Sequence, residues 1–244
     1  MRIISVANYN AVSFHVARLI AAQVMVKPNS VLGLATGSSP IGAYQQLVAD
    51  CKDNLLDFSK IRSVNLDEYV GLDPSHDQSY RYFMNENLFN HINIDKENTY
   101  TPDGLAKDLA VFCEEYSQRI VDMGGIDLQL LGVGSNGHIG FNEPSDSFTC
   151  GTHVARLAPS TLEDNKRFFA SIDEVPKEAI SMGIREIMQA RSVVLIASGK
   201  NKAQAVRDGF FGKITPECPA SILQLHPNFT LVADAEAMSL CRDL

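Results

Sequence analysis

The sequence predicts an α/β protein built on an open, mostly parallel sheet with helices on both faces, Rossmann-like, folded as a single domain over residues 1–244. Three observations predict it. Short apolar runs alternate with stretches of helical periodicity along the whole chain, and no linker rich in Pro, Gly or Ser interrupts them. The run from 126 to 133 is rich in Leu and Val, as a strand buried on both faces must be. The main runs also empty into short polar or glycine-rich loops, the place where parallel sheets bind their ligands.

In order, Ile3 to Val6 reads as a first strand, followed by a helix with Val12, Val16, Leu19 and Ile20 on one face and Pro28 closing it. Val31 to Ala35 is a second strand. It runs straight into Thr36-Gly37-Ser38-Ser39-Pro40, after which Ile41, Tyr44, Leu47 and Val48 mark a helix. Ser39 suits the N-cap and Pro40 the first turn, so unpaired backbone N–H groups point back into the loop. Helix N-termini bind phosphate in this way, and the lack of a Walker lysine argues against a nucleoside triphosphate. A third strand, Ile61 to Leu66, ends in Asp67-Glu68-Tyr69, and a helix follows from about Ser79 to Asn90. Leu109, Phe112, Cys113, Tyr116 and Ile120 form a core-facing helical stripe.

The strand at 126–133 then delivers His138, Asn142 and Glu143 within a few residues. Gly132, Gly134 and Gly137 satisfy the G-x-G-x-x-G spacing of a dinucleotide site. Pro144 interrupts the helix that such a site requires, and no strand ending in an acid follows about 20 residues on. The glycines are read instead as letting backbone approach a ligand closely.

From Pro144 to about Ser171 the chain is polar and irregular, with Thr152 to Leu157 extended and Ser160 to Phe169 helical. A flap over the site is expected across approximately 159–182, with a helix starting at Pro176 that turns Ile180, Ile184, Ile187 and Met188 inward. Ser192 to Ala197 is a strand that opens into Ser198-Gly199-Lys200-Asn201-Lys202 and a helix carrying Ala203, Val206 and Phe210. A lysine in a first helical turn opposes the helix dipole, which a bound anion would offset. A short helix from Pro219, a strand from Phe229 to Ala233 and a short terminal helix complete the chain.

Composition narrows the functions. A 45% hydrophobic and 20% charged chain is an ordinary globular one, and a net charge of −8 argues against nucleic-acid binding. Five cysteines without a C-x-x-C pair indicate neither disulfides nor zinc, and fit a reduced, cytoplasmic location. The N-terminal apolar run is too short for a signal peptide, and Arg18 and Lys27 interrupt the other candidate span, so no membrane partner is expected. His138 and Glu143 alone make a weak metal case, and no metal is expected. A phosphate cradle near Gly37, carboxylates at Asp67 and Glu68, the His138–Glu143 cluster and Lys202 instead suggest proton transfer on a small phosphorylated molecule. His138 would shuttle protons, Glu143 would orient it, and Asp67 would take a proton alpha to a carbonyl or imine if its surroundings make it basic.

At these residues the chain resembles the glucosamine-6-phosphate deaminase family, from about Ile3 to the C-terminal helix. The resemblance is carried by Leu-Ala-Thr-Gly-Ser-Ser-Pro (34–40), Asn-Leu-Asp-Glu-Tyr-Val-Gly (65–71), Gly-Val-Gly-Ser-Asn-Gly-His-Ile-Gly-Phe-Asn-Glu-Pro (132–144) and Leu-Gln-Leu-His-Pro (223–227). It implies conversion of D-glucosamine 6-phosphate and water to D-fructose 6-phosphate and ammonia without an organic cofactor. His138, supported by Glu143 and Asn136, would assist ring opening, and Asp67 would move a proton from C2 toward C1. Gly37, Ser38 and Ser39 would hold the phosphate with Arg167 and Lys202. Some members carry Asp at the position of Asn136, which is expected to alter the pH profile rather than the reaction. Hexameric members are activated by N-acetylglucosamine 6-phosphate through basic residues of which His153-Val154-Ala155-Arg156 retains only part. A non-allosteric monomer or low-order homo-oligomer is therefore expected. The nearest alternative is a 6-phosphogluconolactonase, whose Asp-Glu-Arg pattern is replaced here by Asp67-Glu68-Tyr69. A sugar-phosphate sensor would need an output domain for which no residues are spare.

Overall fold

The computed structural model describes residues 1–166, 169 and 171–241. In chain order the elements are β1 (Arg2–Val6), α1 (Tyr9–Val26), β2 (Val31–Leu34), α2 (Ile41–Lys52), β3 (Arg62–Asn65), β4 (Asp67–Tyr69), α3 (Tyr80–Met84), β5 (Thr99–Tyr100), α4 (Leu109–Asp122), β6 (Leu128–Gly132), β7 (His153–Arg156), α5 (Pro159–Asn165), β8 (Glu178–Ser181), α6 (Ile184–Gln189), β9 (Val193–Ala197), α7 (Ala203–Phe211) and β10 (Phe229–Asp234).

The central sheet has seven strands in the order β1-β10-β9-β6-β2-β3-β5, every neighbouring pair parallel. Its middle strands are buried on both faces, as the unbroken apolar runs of β2 and β9 require, and β10 is buried along its length with Thr230 and Asp234 included. From β2 the chain steps outward to β3 and β5, whereas from β6 it steps the other way to β9 and β10. The strand order therefore reverses between β2 and β6. These two strands pair over only Leu32–Leu128 and Gly33–Gln129, so their carboxyl ends part and leave a crevice.

A second, antiparallel sheet, β4-β8-β7, stands beside that crevice. It corrects the helix expected from Pro176. Glu178–Ser181 is instead its central strand, and only Ile184–Gln189 is helical. The apolar spacing fits both states, and β4 and β7 decide it by offering backbone partners on each side, which bury Ala179, Ile180 and Ser181 completely. The covering segment over the crevice thus ends before residue 178. Two smaller corrections concern ends. α2 begins one residue later than read, with Pro40 at the cap and no side-chain cap bond from Ser39. The expected terminal helix is a series of turns after Asp234.

Candidate active site

Four strand exits meet at the crevice, and one pocket of about 260 Å³ is lined by Gly37, Ser38, Ser39, Asp67, His138 and Lys202 together. These come from the ends of β2, β3–β4, β6 and β9, which are adjacent in the sheets. Asn136 and Glu143 are absent from this wall and stand behind His138 instead. Arg167, expected at the phosphate, lies outside the described residues.

The loop after β6 turns too tightly for a helix. Gly134 N–H donates to His138 O at 2.9 Å, and Gly137, at φ 88°, donates to Gly134 O at 3.0 Å. This lays the imidazole flat against Gly134, where a Cβ would fall 2.3 Å from Cε1 and 2.4 Å from Nδ1. His138 Nδ1 lies 3.4 Å from Glu143 Oε2, a charge contact rather than a formed hydrogen bond, which sets the carboxylate beside that edge of the ring. Asn136 completes the loop. Its Nδ2 donates to Glu143 Oε2 at 2.9 Å and its Oδ1 accepts from His138 N–H at 3.2 Å. Burial opposes ionisation of Glu143, yet His138, Thr161 and Asn136 together outweigh it and hold the carboxyl down at about 2. Glu143 is therefore a fixed anion behind the histidine.

The acids at 67 and 68 separate by environment. Glu68 accepts from Tyr69 and Tyr80 N–H through Oε1 and from Arg81 N–H through Oε2, all at 2.9 Å, so it caps the start of α3 and is committed to structure. Asp67 faces the pocket, only 6% exposed, and burial together with the neighbouring Glu68 pushes its pKa up to about 8. A carboxylate that basic matches the requirement for a proton acceptor working near neutrality.

The loop at 36–40 is braced by a residue that spacing did not reveal. Tyr9 OH donates to Ser38 O at 3.1 Å and accepts from Gly42 N–H at 2.9 Å, tying α1 to the loop. Tyr44 OH donates to Ala35 O at 2.6 Å and fixes the strand end beneath it. Across the pocket, Asp234 accepts from Ser198 Oγ and Gly199 N–H, which sets the loop that presents Lys202. The remaining wall is aromatic: Tyr69, Tyr80 and Phe141 pack together with Phe169, and α5 adds Thr161 and Asn165. Sequence spacing showed none of these contacts, because each joins different elements whose approach no single periodicity states.

A pocket that joins a basic carboxylate, a histidine backed by a carboxylate and a lysine has the groups for acid–base chemistry on a small anionic molecule, which is the class of protein that fold and site define. Comparison with known proteins narrows this class. Residues 7–145 match the family described as glucosamine-6-phosphate isomerases/6-phosphogluconolactonase. The chain is 56% identical over 232 residues to the glucosamine-6-phosphate deaminase of Lachnoclostridium phytofermentans, covering 95% of this chain and 98% of that one. It is 53% identical to that of Clostridium perfringens, covering 99% and 100%. A solved monomeric glucosamine-6-phosphate deaminase superposes with a TM-score of 0.96 at 44% identity, covering 98% of this chain and all of that one. The 6-phosphogluconolactonase of Trypanosoma brucei, at 20% identity and a TM-score of 0.75, shares the fold. The chain belongs to the glucosamine-6-phosphate isomerase/6-phosphogluconolactonase family.

Among the described residues no helix is long and apolar enough to cross a membrane, and no group of three or more His, Cys, Asp or Glu is arranged to hold a metal ion.

Proposed function

We propose that the protein is a glucosamine-6-phosphate deaminase, converting D-glucosamine 6-phosphate and water to D-fructose 6-phosphate and ammonia. The observation that carries this reading is the pairing, in one pocket, of a buried aspartate of raised pKa with a histidine backed by an ionised glutamate. Relatives more than 50% identical over essentially the whole chain, all named for this activity, support it.

In the proposed sequence, His138 Nε2 accepts the C1 hydroxyl proton and returns one to the ring oxygen, opening the sugar. Glu143, behind the ring, stabilises the imidazolium formed between the two transfers. Asp67 takes the proton from C2 of the open-chain ammonium aldehyde while O1 takes one from the ammonium group to give a neutral enolamine, and Asp67 then returns its proton to C1, leaving an iminium at C2. Water then adds to C2, and loss of ammonia gives the ketone. The phosphate is assigned to the 37–39 loop and Lys202, with Arg167 as a further proposed contact.

The test is release of ammonia and fructose 6-phosphate in equal amounts by the purified protein, in metal-free buffer. Rapid hydrolysis of 6-phosphogluconolactone without ammonia would overturn the reading. Two further outcomes are expected. Lys202→Gln raises KM for the sugar phosphate by about 10- to 100-fold, the worth of one charge-assisted hydrogen bond, with a smaller change in kcat; steady-state kinetics check it. Because Asp67 must be ionised to accept a proton and titrates at about 8, kcat/KM rises as pH increases through that value, which a pH series of initial rates will show.

We also infer that the protein works in the cytoplasm as a monomer or low-order homo-oligomer that N-acetylglucosamine 6-phosphate does not activate. Five cysteines, all free thiols, support a reducing location. A sigmoidal rate curve made hyperbolic by the acetylated sugar phosphate would contradict the regulatory part.

A further inference from the structure

The carboxylate of Glu143 is divided between two parts of the chain. Its Oε2 meets Asn136 Nδ2 and His138 Nδ1, both from its own loop. Among the described residues, the two groups that donate to its Oε1 come from the segment beside the pocket: Thr161 Oγ1 at 2.5 Å and Ala158 N–H at 3.4 Å. A carboxylate is planar, so holding Oε1 also fixes where Oε2 points.

Thr161 lies in α5, and its contacts belong to a series. Asn165, one turn on and so on the same helix face, donates through Nδ2 to Tyr69 OH at 2.9 Å. Phe169 packs edge-on against the Tyr69 ring, with centroids 5.9 Å apart. Thr161, Asn165 and Phe169 all line the pocket. Seating α5 over the pocket therefore does two things together, closing the aromatic wall through Tyr69 and supplying the donors of Glu143 Oε1.

We propose that Thr161 is a positioning residue, whose hydroxyl orients the Glu143 carboxylate toward His138, so that the proton-transfer set is complete only while α5 is seated. The inference deepens the deaminase reading and rests on it. It ties chemistry to closure: with α5 lifted, Glu143 Oε1 loses both donors, the carboxylate turns more freely, and Nδ1 of His138 loses its fixed partner. Proton transfer is then confined to the covered pocket, where water does not compete for the reacting atoms.

The test compares three exchanges in the full chain. Thr161→Val keeps the side-chain shape and removes the donor, and kcat should fall by about 10- to 100-fold, with KM close to the parent value. Thr161→Ser restores the donor and should recover most of kcat. Asn165→Ala loosens the seat without touching Glu143 and should act mainly on KM. A merely structural Thr161 would make the Val enzyme behave like Asn165→Ala, and that result, or an unchanged kcat, overturns the proposal. Should the Val protein fail to fold, Thr161→Ala is read by the same criteria.

A readout independent of turnover is the imidazole 15N spectrum of His138 near pH 7. It should show Nδ1 carrying the proton in the parent and a mixture of tautomers in Thr161→Val. An identical spectrum overturns the proposal even where kcat falls. If the parent releases no ammonia, the deaminase reading fails while the nitrogen spectra still decide the role of Thr161.

Discussion

Replacing Asp67 with Asn lowers kcat by about 10³-fold, within the range that a positioned general base contributes, while KM changes little. Asparagine keeps the size and the polar outline of aspartate but has no lone pair basic enough to take a carbon-bound proton. Single-turnover kinetics with isotope at C2 would locate the loss, since exchange of the C2 hydrogen with solvent should stop in the variant. Retained exchange would remove Asp67 from its role and leave Glu68 as the only other acid at this strand end. Glu68 is a poor substitute, because three backbone N–H groups occupy its oxygens.

The same exchange has a second signature, in stability. In the folded chain Asp67 keeps its proton until about pH 8, whereas its ordinary value is 3.8. Between these limits the folded state binds more protons than the unfolded one, so this group's contribution is fully present below pH 3.8 and is lost as pH rises through about 8. An asparagine has no such proton to lose. Asp67→Asn should therefore melt at a higher temperature than the parent at pH 8, with the gap closing toward pH 4, and thermal melts at the two pH values check this. An equal melting temperature throughout would mean that burial does not hold the proton on Asp67.

Gly134→Ala is expected to be almost as damaging to turnover, by a different route. The added methyl would lie 2.3 to 2.5 Å from three atoms of the His138 ring, so the ring must move. Displacing a catalytic group by about 1 Å costs on the order of 10² in rate, and overpacking of this kind destabilises by about 1–3 kcal/mol. The variant should keep its fold and its affinity for inorganic phosphate, since the 37–39 loop belongs to other elements. Near-parent kcat in Gly134→Ala would show that the ring tolerates a displaced position and that its contact with the glycine is incidental.

Much of the fold was legible from residue order because the signals were local. Val31 to Leu34 and Val193 to Ala197 are apolar on both faces, as is Leu128 to Gly132 but for the buried Gln129, and strands inside a covered parallel sheet accommodate such runs. The candidate site was legible for the related reason that strand exits in a parallel sheet share one edge, so the polar residues at 37–39, 67, 138 and 202 had to approach one another. The segment at 178–181 was not legible. Its spacing of Ala and Ile satisfies a helix as readily as a strand, and the choice depended on β4 and β7, whose own positions no local pattern states.

Residue order by itself determined the alternation of strand and helix, the loops on which chemistry rests, and the family resemblance that those loops carry. Tertiary structure alone decided which of two adjacent acids is the more basic: burial raises both, but three backbone N–H groups oppose it at Glu68, whereas the Glu68 charge adds to it at Asp67. It also decided that Glu143 and Asn136 stand behind His138 and not on the pocket wall, and that Tyr9 and Thr161 brace groups more than fifteen residues away. Local patterns are set by the periodicity of one element, which the chain carries in its own spacing. Proton affinity and side-chain orientation are set by what surrounds a group in space, and those neighbours come from distant parts of the chain.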